Sequence, residues 1–175
     1  MPCDRVRDRL LADGGRVHVR PIRESDAEAL VALHGRLSDE SVYLRYFSPH
    51  ARLSPREIAH ATQLDHRDHE AFAVFEGDAL IAVGSYERSG GSDAAEIAFE
   101  VDDQHQGRGI GTLLFETLAA AARERGIRRF VANVLPQNRR MLQLFRDAGL
   151  SERTRFEGGV VEVELELAPV PAPVA

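Results

Sequence analysis

Apolar residues recur along this chain with two periods, near 2 and near 3.6, and the alternation between them predicts the order of elements. Val17, Val19 and Ile22 alternate with polar neighbours and predict a first strand. Helical spacing follows. Ser25 stands as an N-cap before Ala27–Leu33 with Glu28 three residues on, the pattern of a capping box. Ser38-Asp39-Glu40-Ser41 opens a second short helix carrying Val42, Tyr43, Leu44 and Tyr46, and Ser54-Pro55-Arg56-Glu57 a third, with Pro55 at the first helical position. Glu70–Phe75 and Ala79–Tyr86 predict two strands joined by Glu76-Gly77-Asp78, a hairpin turn. After the turn Ser89-Gly90-Gly91-Ser92-Asp93, Ala95–Val101 is the next strand. A long helix from about Gly109 to Arg125 ends at Gly126, Phe130–Val134 is a strand, and Asn138–Ala148 is a helix closed by Gly149. Val160–Leu167 alternates as a last strand, with room for one more beside it. Runs of this order build a mixed α/β sheet with helices on both faces.

Residues 1–15 are charged and end in the turn Asp13-Gly14-Gly15, so they are expected to be a mobile N-terminal segment. Residues 168–175 are a Pro/Ala-rich tail that suits neither helix nor ladder. Residues 16–167 remain as one domain, and no internal repeat is visible.

Composition narrows the function classes. A length of 175 residues, 43% hydrophobic and 29% charged, suits one globular domain with a sizeable core. A net charge of −6 argues against non-specific nucleic-acid binding. The single cysteine, Cys3, excludes an internal disulfide and a cysteine metal site. No apolar run is long enough to span a bilayer, and the first residues lack the apolar core of a signal peptide, so a cytoplasmic protein without a membrane partner is expected.

The most informative stretch is Gln106-Gly107-Arg108-Gly109-Ile110-Gly111, between a predicted strand and a predicted helix. Glycines open backbone conformations closed to other residues, and the first N–H groups of a helix have no partner inside it. Together they cradle a phosphate or diphosphate. A Walker loop is excluded, because no lysine follows the glycines and the chain has none. A dinucleotide fingerprint fits poorly, because the third glycine comes one residue early and Thr112 stands where it belongs.

The stretch does match Gln/Arg-x-x-Gly-x-Gly/Ala at every fixed position. In this, and in its flanking strand and helix and the later Asn138, the chain resembles the GNAT family of N-acetyltransferases over roughly residues 16–167. Val19-Arg20-Pro21-Ile22-Arg23-Glu24-Ser25-Asp26, Arg45-Tyr46-Phe47, Ala95–Val101 and Arg129–Leu135 are most similar to the catalytic domain of bacterial protein lysine acetyltransferases of the Pat type.

The resemblance implies a GNAT fold, with a mostly antiparallel central sheet splayed at a bulge in the cofactor strand, and acetyl-coenzyme A as co-substrate. It implies that Phe99, Glu100 and Val101 meet the pantetheine arm through main chain. Gln106, Gly107, Arg108, Gly109, Ile110, Gly111 and Thr112 then hold the diphosphate, with Arg108 adding charge. Asn138 contacts the cofactor near its thioester arm, cap its helix, or does both. Many members carry a proton-donating tyrosine seven residues after that asparagine; here the position is Phe145, which has no proton to give.

A lysine amine, with a pKa of about 10.4, is nucleophilic only about one time in a thousand at neutral pH, so a nearby carboxylate must take its proton. Glu96 and Glu100 share the cofactor strand. The resemblance favours Glu96, whose apolar neighbours Ala95, Ile97 and Phe99 would bury it and raise its pKa; Glu100 is the reserve.

Tyr43, Arg45, Tyr46 and Phe47 fall on the segment that lines the acceptor groove in the family. His60, His66 and His69, with Asp65 and Asp68, fit no zinc spacing, and no metal is expected. The acceptor implied is a primary amine, preferably a protein lysine on an acyl-CoA synthetase-like target, in a monomer or homodimer. A small-molecule amine acetyltransferase and a catalytically silent acyl-CoA-binding module stay open as alternatives.

Overall fold

The structure, a computed structural model, describes residues 6–167. Cys3 and the 168–175 tail lie outside the described residues. The strands are β1 (Arg7–Leu10), β2 (Arg16–Pro21), β3 (His69–Glu76), β4 (Ala79–Arg88), β5 (Ala94–Val101), β6 (Arg129–Val134), β7 (Ser151–Glu157) and β8 (Val160–Glu166). The helices are α1 (Ala27–Arg36), α2 (Asp39–Tyr46), α3 (Pro55–Thr62), α4 (Ile110–Glu124) and α5 (Arg139–Asp147). The strands form one sheet in the order β1-β2-β3-β4-β5-β6-β8-β7, antiparallel throughout except for β5–β6. This is the mixed, mostly antiparallel sheet that the alternation predicted.

Local chemistry explains most boundaries. The Ser38 hydroxyl accepts from the Ser41 N–H and starts α2. Ser54 and Glu57 complete a reciprocal capping box that starts α3, with Pro55 next. Gly77, at φ +59°, makes the tight turn that pairs Glu76 with Ala79.

α1 departs from expectation. Ser25 does not cap it; a short 3-10 turn, Glu24–Asp26, leads in, and no side chain caps the helix. The Asp26 carboxylate instead accepts from the Arg23 N–H and, through two 2.7 Å bonds, from the Arg20 guanidinium. One strand exceeds expectation: Arg7–Leu10 pairs with β2 inside the segment read as mobile. Ser151–Glu157 fills the room left beside the last strand, as the outer strand of a final hairpin.

Helices cover both faces of the sheet. On one face Phe72, Val74, Tyr86, Ile97 and Phe130 pack with Leu114, Phe115 and Leu118 of α4 and Phe145 of α5. On the other, Ile22, Ala71, Ala73 and Leu80 pack with Leu30 and Leu33 of α1. Each large aliphatic or aromatic side chain buried this way contributes about 1.5–3 kcal/mol. Seven residues of α4 are buried, which fixes its N-terminus against the end of β5.

The sheet forks at β5. That strand pairs with β4 along its length, from Ala95 opposite Arg88 to Val101 opposite Ala82. With β6 it pairs only at Ala94, Ala95 and Glu96. Beyond Glu96 the two strands part. No bulge in β5 is involved, since its register with β4 is unbroken; the irregularity lies between β3 and β4, at Val74/Phe75. The Asp102 N–H points back to Ile81 O. By the two-residue period of a strand, the main-chain groups of Ile97, Phe99 and Val101 therefore face the open side of the fork.

Candidate active site

Two clefts meet at the fork. The first runs along the glycine loop and is about 740 Å³ in volume. Its wall includes Phe99, Glu100, Val101, Gln106, Gly107, Gly109, Ile110, Gly111, Thr112 and Asn138, so the structure brings together every expected cofactor residue except Arg108. Gly107 and Gly109 take φ of +76° and +83°, the left-handed region that favours glycine. Gly109 caps α4 without a side chain, and the first turn holds no acidic residue. The first intrahelical bond reaches Leu113 from Gly109, so the N–H groups of Ile110, Gly111 and Thr112 are left for a ligand. That arrangement, with its dipole, suits an anion.

Arg108 points the other way. It bonds Asp13 at 2.5 Å, Glu76 at 2.8 Å and His105 Nδ1 at 2.7 Å, clamping the loop from behind to two hairpin turns. A Cβ on Gly15 would collide with its guanidinium. The cations that line this cleft are instead Arg139 and Arg140 of α5. Arg140 bonds Gln106 Oε1 at 2.7 Å, and Gln106 in turn donates to Val101 O at 3.3 Å. The sequence signal for them was present, two arginines just after the cap Asn138, but basic residues in a first helical turn usually stand in solvent. Asn138 accepts from the Met141 N–H at 3.2 Å, so it caps α5 while facing the cleft. Phe145 is buried beside Phe115, and that position offers no acid.

The second cleft, about 620 Å³, opens on the opposite side of β5, under α2 and α3. Glu57, Glu87, Glu96 and Glu100 all line it, with Arg45, Tyr46, His60 and His69. Arg45, Phe99 and Glu100 are common to both clefts. Glu96 and Glu100 share a face, as the unbroken register requires. Glu96 is exposed to the cleft. The expectation that its neighbours bury it is corrected, because Ala95, Ile97 and Phe99 alternate onto the other face and belong to the core. Among the described residues the Glu96 carboxylate has no hydrogen-bond or ion-pair partner. It is also the last β5 residue paired with β6, so it stands at the apex of the fork.

Glu100 is enclosed. It accepts a 2.6 Å bond from the Tyr46 hydroxyl and lies 3.9 Å from His34 Nδ1, a buried nitrogen with no hydrogen-bond partner. His34 Nε2 meets His50 O at 2.6 Å, and the His50 ring stacks on Tyr46. Burial, and then the Glu100 charge, push the Tyr46 phenol well above its ordinary value, so it stays a donor. Tyr43 and Phe47, expected at the acceptor groove, are partly exposed and do not line this cleft.

Residues 38–150 match the acetyltransferase (GNAT) family. Among curated proteins the chain is 32% identical to Acetyltransferase Pat of Mycolicibacterium smegmatis over 157 residues, which is 87% of this chain and 46% of that protein. It thus spans about half the length of that relative. Among solved structures, the GNAT domain of S. lividans PAT superposes with a TM-score of 0.90 at 44% identity, covering 95% of this chain and 99% of that one. A Salmonella typhimurium structure described as yncA, a putative acetyltransferase with its cofactor acetyl-CoA, has the same fold, with a TM-score of 0.71 at 18% identity over 91% of this chain and 98% of that one.

Proposed function

The chain belongs to the acetyltransferase (GNAT) family, and from that premise we propose that it moves an acetyl group from acetyl-coenzyme A to a primary amine by direct attack in a ternary complex. The fork in the sheet carries the reading. At its apex stands an exposed carboxylate, Glu96, with an uncapped helix N-terminus on one side and an acidic cleft on the other.

The diphosphate rests on the N–H groups of Gly107 to Thr112, with Gln106 holding the loop and Arg139 and Arg140 adding charge. The pantetheine amides pair with the main chain of Phe99 and Val101 along the open edge of β5; the main chain of Glu100, expected to join them, is turned to β4 opposite Val83. This brings the thioester to the apex, near Asn138. An ammonium enters the opposite cleft, drawn by Glu57, Glu87, Glu96 and Glu100. Glu96, directly or through one water, takes the proton from nitrogen. The amine then attacks the thioester carbonyl, the C–S bond breaks, and the second proton lost by the nitrogen passes through water to the departing thiolate. With a thiol pKa of about 8.5, departure as thiolate is tolerable without a side-chain acid.

The acceptor we favour is a protein lysine, as the likeness to Pat implies, and the acidic cleft suits any primary ammonium. The catalytic unit we propose is the single domain 16–167 with β1 added at its edge. Among the described residues no helix is long and apolar enough to cross a membrane.

The test compares the wild type with Glu96→Gln on a panel of lysine-containing proteins and small amines, with coenzyme affinity measured by calorimetry. Loss of a general base lowers kcat by about 10²–10⁴ while coenzyme affinity holds. Turnover of proteins but not small amines supports the lysine acceptor. If the coenzyme binds and no amine is acetylated, a silent binding module replaces this reading.

A further inference from the structure

Three side chains far apart in sequence converge at the outer end of the acidic cleft. His69 opens β3, Glu87 lies opposite it near the end of β4, and His60 comes down from the last turn of α3. Their ligand-capable atoms all lie within 4.8 Å of one another. His60 Nε2 is already 3.0 Å from Glu87 Oε2, and the two imidazole rings are 4.6 Å apart between centroids. We propose that His60, His69 and Glu87 form a site for a divalent transition metal of the zinc type at the rim of the acceptor cleft.

The donor set is two imidazoles and one carboxylate, which suits Zn²⁺ or Co²⁺ and leaves a fourth position for water. Metal–ligand bonds of about 2.0–2.2 Å put neighbouring tetrahedral ligands about 3.4 Å apart. The side chains need to close by little more than 1 Å. His60 and Glu87 are the more exposed members, at 61% and 54%, and free to make that adjustment.

A second observation points to a cation. Glu96 sits directly opposite Glu87 on the neighbouring strand. Facing side chains in such a pair have Cβ atoms about 4.5–5.5 Å apart, and like charges there repel. A divalent ion bound beside Glu87 offsets that repulsion. Sequence reading dismissed these histidines because zinc signatures are short local spacings. Here the spacing is set by strand register and by a helix laid across it.

The consequence for turnover rests on the acetyl-transfer reading. An ion at this point competes with an incoming ammonium for the same carboxylates, so Zn²⁺ raises KM for the acceptor and leaves KM for acetyl-coenzyme A unchanged.

The site itself is tested without either substrate. The full chain, stripped of metal with a chelating resin, is titrated with Co²⁺ by visible absorption and with Zn²⁺ against a chromogenic chelator. One equivalent per chain, with the intense d–d bands of a four-coordinate Co²⁺ site, is expected. His60→Ala and His69→Ala should each weaken binding at least about tenfold, with circular dichroism showing both still folded. His18→Ala, on β2, should bind as the wild type does. Absence of stoichiometric binding, or binding that survives both His60→Ala and His69→Ala, overturns the site whether or not the protein acetylates amines.

Discussion

The Tyr46 hydroxyl donates a 2.6 Å hydrogen bond to Glu100, and this contact joins α2 to the cofactor strand at the point shared by both clefts. Glu100 has a side chain only 9% exposed, and that hydroxyl is the donor that satisfies it. Tyr46→Phe removes the donor and leaves the carboxylate buried. We expect a loss of about 1–3 kcal/mol, and each kcal/mol lowers the melting temperature by about 2–4 °C. Differential scanning calorimetry measures it. An unchanged melting temperature would show that Glu100 finds its support elsewhere.

The glycine loop allows a graded test. A Cβ on Gly109 would meet nothing within 4 Å, so any penalty comes from its φ of +83° and not from a clash. Gly109→Ala should cost roughly 1 kcal/mol in stability and weaken coenzyme binding about tenfold, near 1.4 kcal/mol. Gly109→Asn, which tolerates the left-handed region better, should fall between alanine and wild type. Equal affinities for all three proteins would remove the loop from the binding site.

The two kinds of arginine at the loop predict opposite phenotypes. Arg140 lines the phosphate-side cleft, whereas Arg108 is tied to Asp13, Glu76 and His105 behind it. Arg140→Ala should raise KM for acetyl-coenzyme A several-fold, more so at low salt, with little change in stability. Arg108→Ala should lower the urea midpoint slightly and change that KM less. Steady-state kinetics with urea denaturation separates the two, and the reverse pattern would return Arg108 to the phosphate.

Asp26 predicts an acid limit. Burial alone would raise its pKa, but the Arg20 hydrogen bonds, the Arg23 N–H and both positive charges outweigh it and hold the carboxyl below its ordinary 3.8. A group with a depressed folded pKa contributes stability that is complete above the unfolded value and is lost as pH falls through the folded one. Urea midpoints should therefore start to drop as pH falls below about 5 and go on dropping below 3.8. Arg20→Met should lower stability by about 3 kcal/mol and flatten this dependence. A slope unaltered in Arg20→Met would assign the acid sensitivity to other carboxylates.

The elements legible in the sequence were those whose signal is local. Ser54 and Glu57 close a box within one turn, Gly77 and Gly109 mark backbone that only glycine takes easily, and Ile97 and Phe99 alternate with Glu96 and Glu100. What escaped notice depends on distant partners. β1 and β7 are edge strands whose residues are almost all exposed, so no apolar alternation announces them; their charges guard the sheet ends. Ser25 lost its capping role because Arg20 and the Arg23 N–H engage Asp26. Arg108 was misassigned because Asp13 lies 95 residues away in the chain. The meeting of His60, His69 and Glu87 follows from the register of β3 on β4 and from α3 packed across them, which no spacing in a linear sequence displays.

The three residue pairs that hold β5 to β6 make the sheet two half-sheets sharing a short seam. On the proposed reading, an amide-bearing arm laid in the gap would act as a surrogate strand and supply the ladder that the polypeptide leaves incomplete. The small molecule is then an architectural part of the holo protein. Saturation at a hundred times Kd should add about 2.7 kcal/mol to the stability of the fold, with slowed hydrogen exchange concentrated along Ile97–Val101 and Phe130–Val134.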